Sequence, residues 1–478
     1  MRWSLLSLAL VGVAALAYVM YTPAPEGITE PWKYSAFCGM LKTCQIIAKV
    51  LAYFDDGNYW KHYRHVRHWL RPATPSEIPG SNIRSRVTTF DGIKVRLYEP
   101  IKKQQGLSPA LVFIHGGGFV IGSTETYDSV TRKIAEGLDM VVASIDYRLA
   151  PEFKIPTQHE DNLKAISWFM QNAEQFGIDS NHIGVAGDSA GGLMTAYISQ
   201  VIHDDESLPD IKFQGLIYPF TQGLDFYTPS YQKYAKFLGE KGVLPRSTVI
   251  HMVSSAIKND GDLSNASMLN MHTSAEFKTR VRKLVNHDDI PVEMKDEAYY
   301  MPPADVGDGD AQVWEKYRSI FLNRAVSPLL RDNMTGLPPA YIVTCGFDNL
   351  RDDGILYAKK LERAGVETIL VNYDGGFHGM LWEGRFFEFQ LAKEALQKFI
   401  ILYMQNILYY VPKNKLKVKN EIIDFQYTMV KIFICFIETL NKNYIHLELL
   451  FSKVLLNSYI IIKKKNQNNS QFLVSLIL

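Results

Sequence analysis

Cysteine is scarce in this chain. Cys38, Cys44, Cys345 and Cys435 are scattered over 478 positions. They are too few for a disulfide-stapled scaffold and show no metal-ligand spacing. An excess of either charge is also missing. The 51 Lys and Arg stand against 50 Asp and Glu, for a net charge of +1. That balance gives no reason to expect nucleic acid as a partner. No motif calls for a cofactor or a metal, and none is expected. What remains is ordinary for a globular protein with a large core, 47% hydrophobic and 21% charged. The length suits one large domain or two ordinary ones.

The stretch 409–478 lacks more. It contains no Ala, Gly, Arg or Trp and is dominated by Ile, Leu, Asn, Lys, Tyr and Phe. Ten Lys against four acidic residues give it +6, which leaves −5 for the rest of the chain. Lys431, Glu438, Glu448 and Lys453 interrupt its apolar runs, so none makes a clean membrane span. The residue usage follows AT-rich codons and gives no basis for a fold. An origin in read-through or a retained intron is the expectation, and a transcript ending near codon 408 would support it.

Charge is absent for a different reason near the N-terminus. In "MRWSLLSLALVGVAALAYVMY", Arg2 precedes about 17 uncharged residues, Leu5 to Tyr21. At 1.5 Å per residue this approaches the ~30 Å hydrocarbon core. A signal anchor over 1–22 is expected. A cleaved signal peptide is the alternative, with Ala15-Leu16-Ala17 as a cleavage site. Either carries the rest of the chain across the membrane and leaves Arg2 on the cytosolic side. Asn265-Ala-Ser and Asn333-Met-Thr are glycosylation acceptors that a lumenal domain can use.

Residues 23–84 read as a membrane-proximal linker followed by cap helices. Residues 33–70 are helical and aromatic, and "WKHYRHVRHWL" sets His62, His65 and His68 beside Lys61, Arg64 and Arg67. No carboxylate or cysteine accompanies the histidines within the motif, which argues against a metal site. A basic aromatic face near lipid headgroups and a plainly solvated face both remain open.

From 85 to 408 strands and helices alternate. Strand candidates lie at 94–99, 108–114, 140–145, 182–187, 213–218, 340–345 and 368–373, most of them short, nearly continuous apolar runs as expected of a parallel sheet covered on both faces. Helical patterns such as 157–176, 190–203 and 352–364 lie between them. The expected fold is α/β, a mostly parallel sheet with helices on both faces. Residues around 225–330 break the alternation and are expected to form a helical cap.

Three consecutive glycines stand out within "LVFIHGGGFVIGS", residues 111–123. Ordering glycine is entropically unfavourable, so bare backbone must be needed there. A second motif supplies the reason. In "HIGVAGDSAGG", residues 182–192, an apolar strand runs into Gly187-Asp188-Ser189-Ala190-Gly191 and then a helical pattern. This is the G-x-S-x-G nucleophile elbow in strand–turn–helix context. An acyl transfer places negative charge on a carbonyl oxygen, and backbone N–H groups can hold it. Gly116 and Gly117, supported by Gly118, offer such donors, and Ala190 completes an oxyanion hole. His115 is expected to brace the loop. The triad order is Ser, acid, His. Asp348 lies just past the strand in "YIVTCGFDNLRDDG", and His378 past the next, in "ILVNYDGGFHGM". Asp352 and Asp353 are rivals, but they open a helix whose dipole favours carboxylates anyway.

"HGGG" and "GDSAGG" are similar to motifs of the hormone-sensitive-lipase group of α/β-hydrolases, as is "DYRLAPEFKIPTQHEDNLKAISWF" at 146–169. "PAPEGITEPWK", "YPFTQGLDFYTPSYQKY" and "TCGFDNLRDDGILYAKKL" resemble the arylacetamide deacetylase and neutral cholesterol ester hydrolase family more closely still. The similarity runs from residue 1 to about 405. It implies a single-pass esterase of the endoplasmic reticulum membrane, with a lumenal catalytic domain over 85–408 and the triad Ser189, Asp348 and His378. Cys345 resembles a cysteine that in the family pairs with one just after the glycine run. Val120 occupies that partner position here, which puts the disulfide in doubt. The expected activity is hydrolysis of apolar esters or amides at the membrane. A non-catalytic receptor or lipid-binding protein on the same scaffold is the alternative, and the presence of His378 argues against it. No feature for recognising peptide termini suggests a peptidase.

Overall fold

A computed structural model describes residues 21–408 apart from 56, 71–73, 103–104, 259–260, 297, 304–308 and 383–386. The expected anchor, but for Tyr21 and Thr22, and the whole 409–478 tail lie outside the described residues.

Eight strands form one sheet: β1 (Ile83–Phe90), β2 (Ile93–Pro100), β3 (Ser108–Ile114), β4 (Val141–Ile145), β5 (Ile178–Asp188), β6 (Gln214–Ile217), β7 (Ala340–Phe347) and β8 (Thr368–Phe377). Their order is β1-β2-β4-β3-β5-β6-β7-β8. β2 runs antiparallel to both β1 and β4, and from β4 through β8 neighbours are parallel. All seven expected strands are present. β1 was not among them. It is an edge strand that keeps Arg84 and Arg86 in solvent, so its apolar signal is weak.

Period-2 geometry explains the two-sided core. Along β3, Ala110, Val112 and Ile114 enter one apolar cluster, and Leu111 and Phe113 enter the other. The first is covered by α4 (Thr157–Gln171), α5 (Ala190–His203) and α11 (Arg351–Arg363), and the second by α3 (Asp128–Leu138) and α12 (Gln390–Leu408). Between β6 and β7 the chain inserts α6 (Pro229–Phe237), α7 (Arg246–Ile257), α8 (Gly261–Met268), α9 (Ala275–Leu284) and α10 (Ala311–Phe321).

The N-terminal helical region forms α1 (Pro31–Phe54) and α2 (Tyr59–Trp69). Proline opens α1, where its missing N–H is harmless. Asn58 caps α2 by accepting from the Lys61 N–H at 3.1 Å. α1 is long and apolar enough to cross a membrane, yet Tyr34, Phe37, Cys38, Leu41, Cys44 and Ala48 are buried against the fold. On α2 the buried stripe is Trp60, Tyr63, Val66 and Arg67. His65 and His68 face solvent, and His62 pairs with Asp55 at 3.1 Å.

Candidate active site

β5 ends at Asp188, α5 begins at Ala190, and Ser189 sits alone at the corner with φ 55°. Positive φ is strained for a side-chain-bearing residue, and the turn is held by the Ser189 N–H donating to the Ile217 carbonyl at 2.9 Å. Gly191 is required by contact. A Cβ there would collide with the Ile114 carbonyl, so no other residue lets α5 approach β3 this closely. Gly187 is constrained in the same way, by the backbone of Gly191.

Asp348 follows β7 and His378 follows β8, as their positions in the sequence suggested. The structure brings both to Ser189. His378 Nε2 lies 3.0 Å from Ser189 Oγ, and His378 Nδ1 lies 2.8 Å from Asp348 Oδ2. An Nδ1–H donated to the carboxylate leaves Nε2 free to accept the serine hydroxyl. The other Asp348 oxygen accepts the Leu350 N–H at 2.8 Å. Asp352 is engaged elsewhere, by Arg351 and the Ser230 N–H. Asp353 accepts from Thr221 and Gln222, and burial pushes its pKa well up.

The glycine loop lies against the corner. His115 is fully buried and stacks on Tyr147 with ring centroids 4.2 Å apart. Its Nδ1 contacts the Gly116 carbonyl at 2.8 Å, and burial lowers its pKa. One expectation needs correcting. The Gly116 N–H donates to Asp188 Oδ1 at 2.7 Å, so it is not open to an oxyanion. Gly117 and Gly118 border the same cavity as Ser189, and Ala190 follows Ser189 as the first residue of α5. Gly117 takes φ 111°, where a side chain would run into Ile121. Asp188 also accepts the Tyr127 hydroxyl at 3.0 Å, and burial lifts its pKa to about 6. The motif contained Asp188, but its partners come from loops and helices that no local pattern connects.

Ser189 and His378 border a cavity of about 900 Å³. Its walls come from α1 and α2 (Leu41, Tyr53, Tyr59, Trp60, Tyr63), from α7 (His251, Met252) and from Trp382. Trp60 fastens α2 to α7: its ring stacks on His251 and its N–H donates to Ser255 at 3.0 Å. These aromatic walls were not foreseen as part of the site. Cys38, Cys44 and Cys345 are free and buried, so Cys345 makes no disulfide among the described residues. Asn265 and Asn333 are both exposed.

Fold and site together define an α/β hydrolase, an enzyme of the ester-hydrolase class. A family model described as the alpha/beta hydrolase fold matches residues 111–301 and 288–382. Arylacetamide deacetylase from Oryctolagus cuniculus is 36% identical over 383 residues, covering 78% of this chain and 93% of that protein. Neutral cholesterol ester hydrolase 1 from Rattus norvegicus is 34% identical over 394 residues, covering 80% and 93%. Among solved structures, a thermostable carboxylesterase cloned from a metagenomic library aligns with TM-score 0.52 and 27% identity, covering 77% of this chain and 97% of its own. The chain belongs to the arylacetamide deacetylase and neutral cholesterol ester hydrolase family of α/β hydrolases.

Proposed function

We propose that the protein is a serine esterase that cleaves apolar esters or amides through an acyl-enzyme at a membrane. The observation that carries this reading is the contact chain Ser189–His378–Asp348 at the edge of an aromatic cavity. Ser189 Oγ attacks the substrate carbonyl carbon while His378 Nε2 takes its proton. The carbonyl oxygen becomes an oxyanion, held by the N–H groups of Gly117, Gly118 and Ala190. The C–O or C–N bond breaks, and the imidazolium returns its proton to the leaving group. Water then attacks the acyl carbon, with His378 again taking a proton, and the acid is released as Ser189 is restored. Asp348 keeps the imidazole in one tautomer and stabilises its charged form.

The relatives' names point to arylacetamides and cholesterol esters, both bulky and apolar, and the aromatic walls suit such groups. A membrane position is supported by the uncharged run Leu5–Tyr21 and by exposed Ile46, Ile47, Val50, Tyr53 and Phe54 on α1. Tyr53 also lines the cavity, so this exposed apolar face continues into the cavity wall. The catalytic domain would then be lumenal, in the endoplasmic reticulum. A panel of p-nitrophenyl esters of rising acyl length, run with wild type and Ser189→Ala, tests the reading. Turnover that survives in Ser189→Ala would refute it.

A further inference from the structure

The cavity is apolar in its aromatic walls but not in its charge. Lys42, Lys49 and Arg67 line it, and among the described residues its only acid is Asp188, whose two oxygens are turned to Gly116 and Tyr127. Arg67 is the telling residue, because only 9% of it is exposed. Other buried arginines lie near a carboxylate or a carbonyl, Arg96 among them at 3.9 Å from Asp128. Arg132 pairs with Asp128 at 3.3 Å and Arg351 with Asp352 at 2.8 Å, while Arg246 donates to the Met268 carbonyl. Among the described residues Arg67 has one long bond, 3.4 Å to the Tyr63 hydroxyl, and it lies over the Trp382 ring. Among the described residues no carboxylate pairs with it.

A buried charge without a counter-charge is unfavourable, and rings offset only part of the penalty. The guanidinium also carries five N–H donors in a planar fork that matches a carboxylate. Among the described residues only one phenol oxygen meets that fork, and the side chain borders the space a substrate would enter. Lys42 and Lys49 lie seven positions apart on α1, two helical turns, and so continue the positive lining along one face.

Resting on the esterase reading, we infer that Arg67 is the anchor of an anion subsite in this cavity, one that selects esters carrying a second, ionised carboxylate. The scissile carbonyl goes to Ser189 and the free carboxylate to the Arg67 fork, with Lys42 and Lys49 drawing the charged end inward.

The experiment compares two six-carbon acyl esters on the full-length enzyme, p-nitrophenyl hexanoate and mono-p-nitrophenyl adipate. The quantity read is the ratio of KM for the charged ester to KM for the neutral one. In wild type it should lie on the order of tenfold below one, the effect of a charge-assisted hydrogen bond. Arg67→Met keeps bulk and removes charge, and should raise the ratio by a similar factor. Arg67→Lys should recover part of the preference. Should Arg67→Met not fold, Lys42→Gln with Lys49→Gln should raise the ratio by a smaller factor. A wild-type ratio of one or more overturns the proposal, as does a ratio that no substitution moves. Neutral-ester turnover abolished by Ser189→Ala tests the esterase reading separately, so the subsite can fail while that reading stands.

Discussion

The carboxylate of Asp188 accepts the N–H of Gly116 at 2.7 Å, joining two loops 72 residues apart in the chain. The residue before the proposed nucleophile therefore fixes the start of the loop that carries the proposed oxyanion donors. Its second oxygen takes the Tyr127 hydroxyl, and burial holds its pKa near 6.

A signed pH dependence follows. An unfolded Asp titrates near 4. Between about pH 4 and 6 the unfolded chain has lost this proton while the folded protein still holds it. Stability therefore falls as pH rises through that window, by up to about 3 kcal/mol for a two-unit shift. Asp188→Asn removes the titration. Its melting temperature relative to wild type should be more favourable at pH 7.5 than at pH 4.5. An equal difference at both values would remove Asp188 as the titrating group.

Ser189, His378 and Asp348 should behave as one unit. A fluorophosphonate should label Ser189 and no other serine, and His378→Ala should abolish labelling almost as fully as Ser189→Ala. Asp348→Asn should reduce turnover steeply, by on the order of 10⁴, because the imidazole loses its orienting acceptor. Asp352→Asn and Asp353→Asn should retain labelling, since both carboxylates have partners away from His378. A well-folded wild type that binds apolar ligands but neither labels nor hydrolyses would instead be a binding protein.

Gly117→Val tests the loop. The valine meets both an unfavourable φ and the Ile121 backbone, so the loop must shift. Losing one oxyanion donor lowers rate by about 10²–10³-fold, or about 3–4 kcal/mol. Circular dichroism should show the fold retained while acyl transfer falls. Near-normal turnover would take the loop out of the mechanism.

Topology can be checked through the two exposed acceptors. Asn265→Gln and Asn333→Gln should each remove one endoglycosidase-sensitive glycan from protein made in microsomes. Protease digestion of the domain in intact vesicles would place it on the cytosolic side.

What the chain determines alone is the part written in short-range pattern. Apolar runs bounded by turns marked most of β2 through β8, because a strand buried on both faces seldom carries charge; β2, with Lys94, Arg96 and Glu99, is the exception. The elbow was legible because a strand, a tight turn and a helix leave glycines at fixed distances from Ser189. Asp348 and His378 were legible because each follows a strand of the same sheet, and parallel strands deliver their ends to one edge. Tertiary structure decided the rest. β1 escaped notice because an edge strand can keep its arginines in water. The Gly116 N–H was redirected from the oxyanion hole by a carboxylate distant in sequence. The helix α1 has the length and hydropathy of a span, and only its packing shows that one face belongs to the core. Arg67 reads in the sequence as one cation in a basic helix. Its place on a cavity wall depends on which residues fold around it, and no spacing along the chain encodes that.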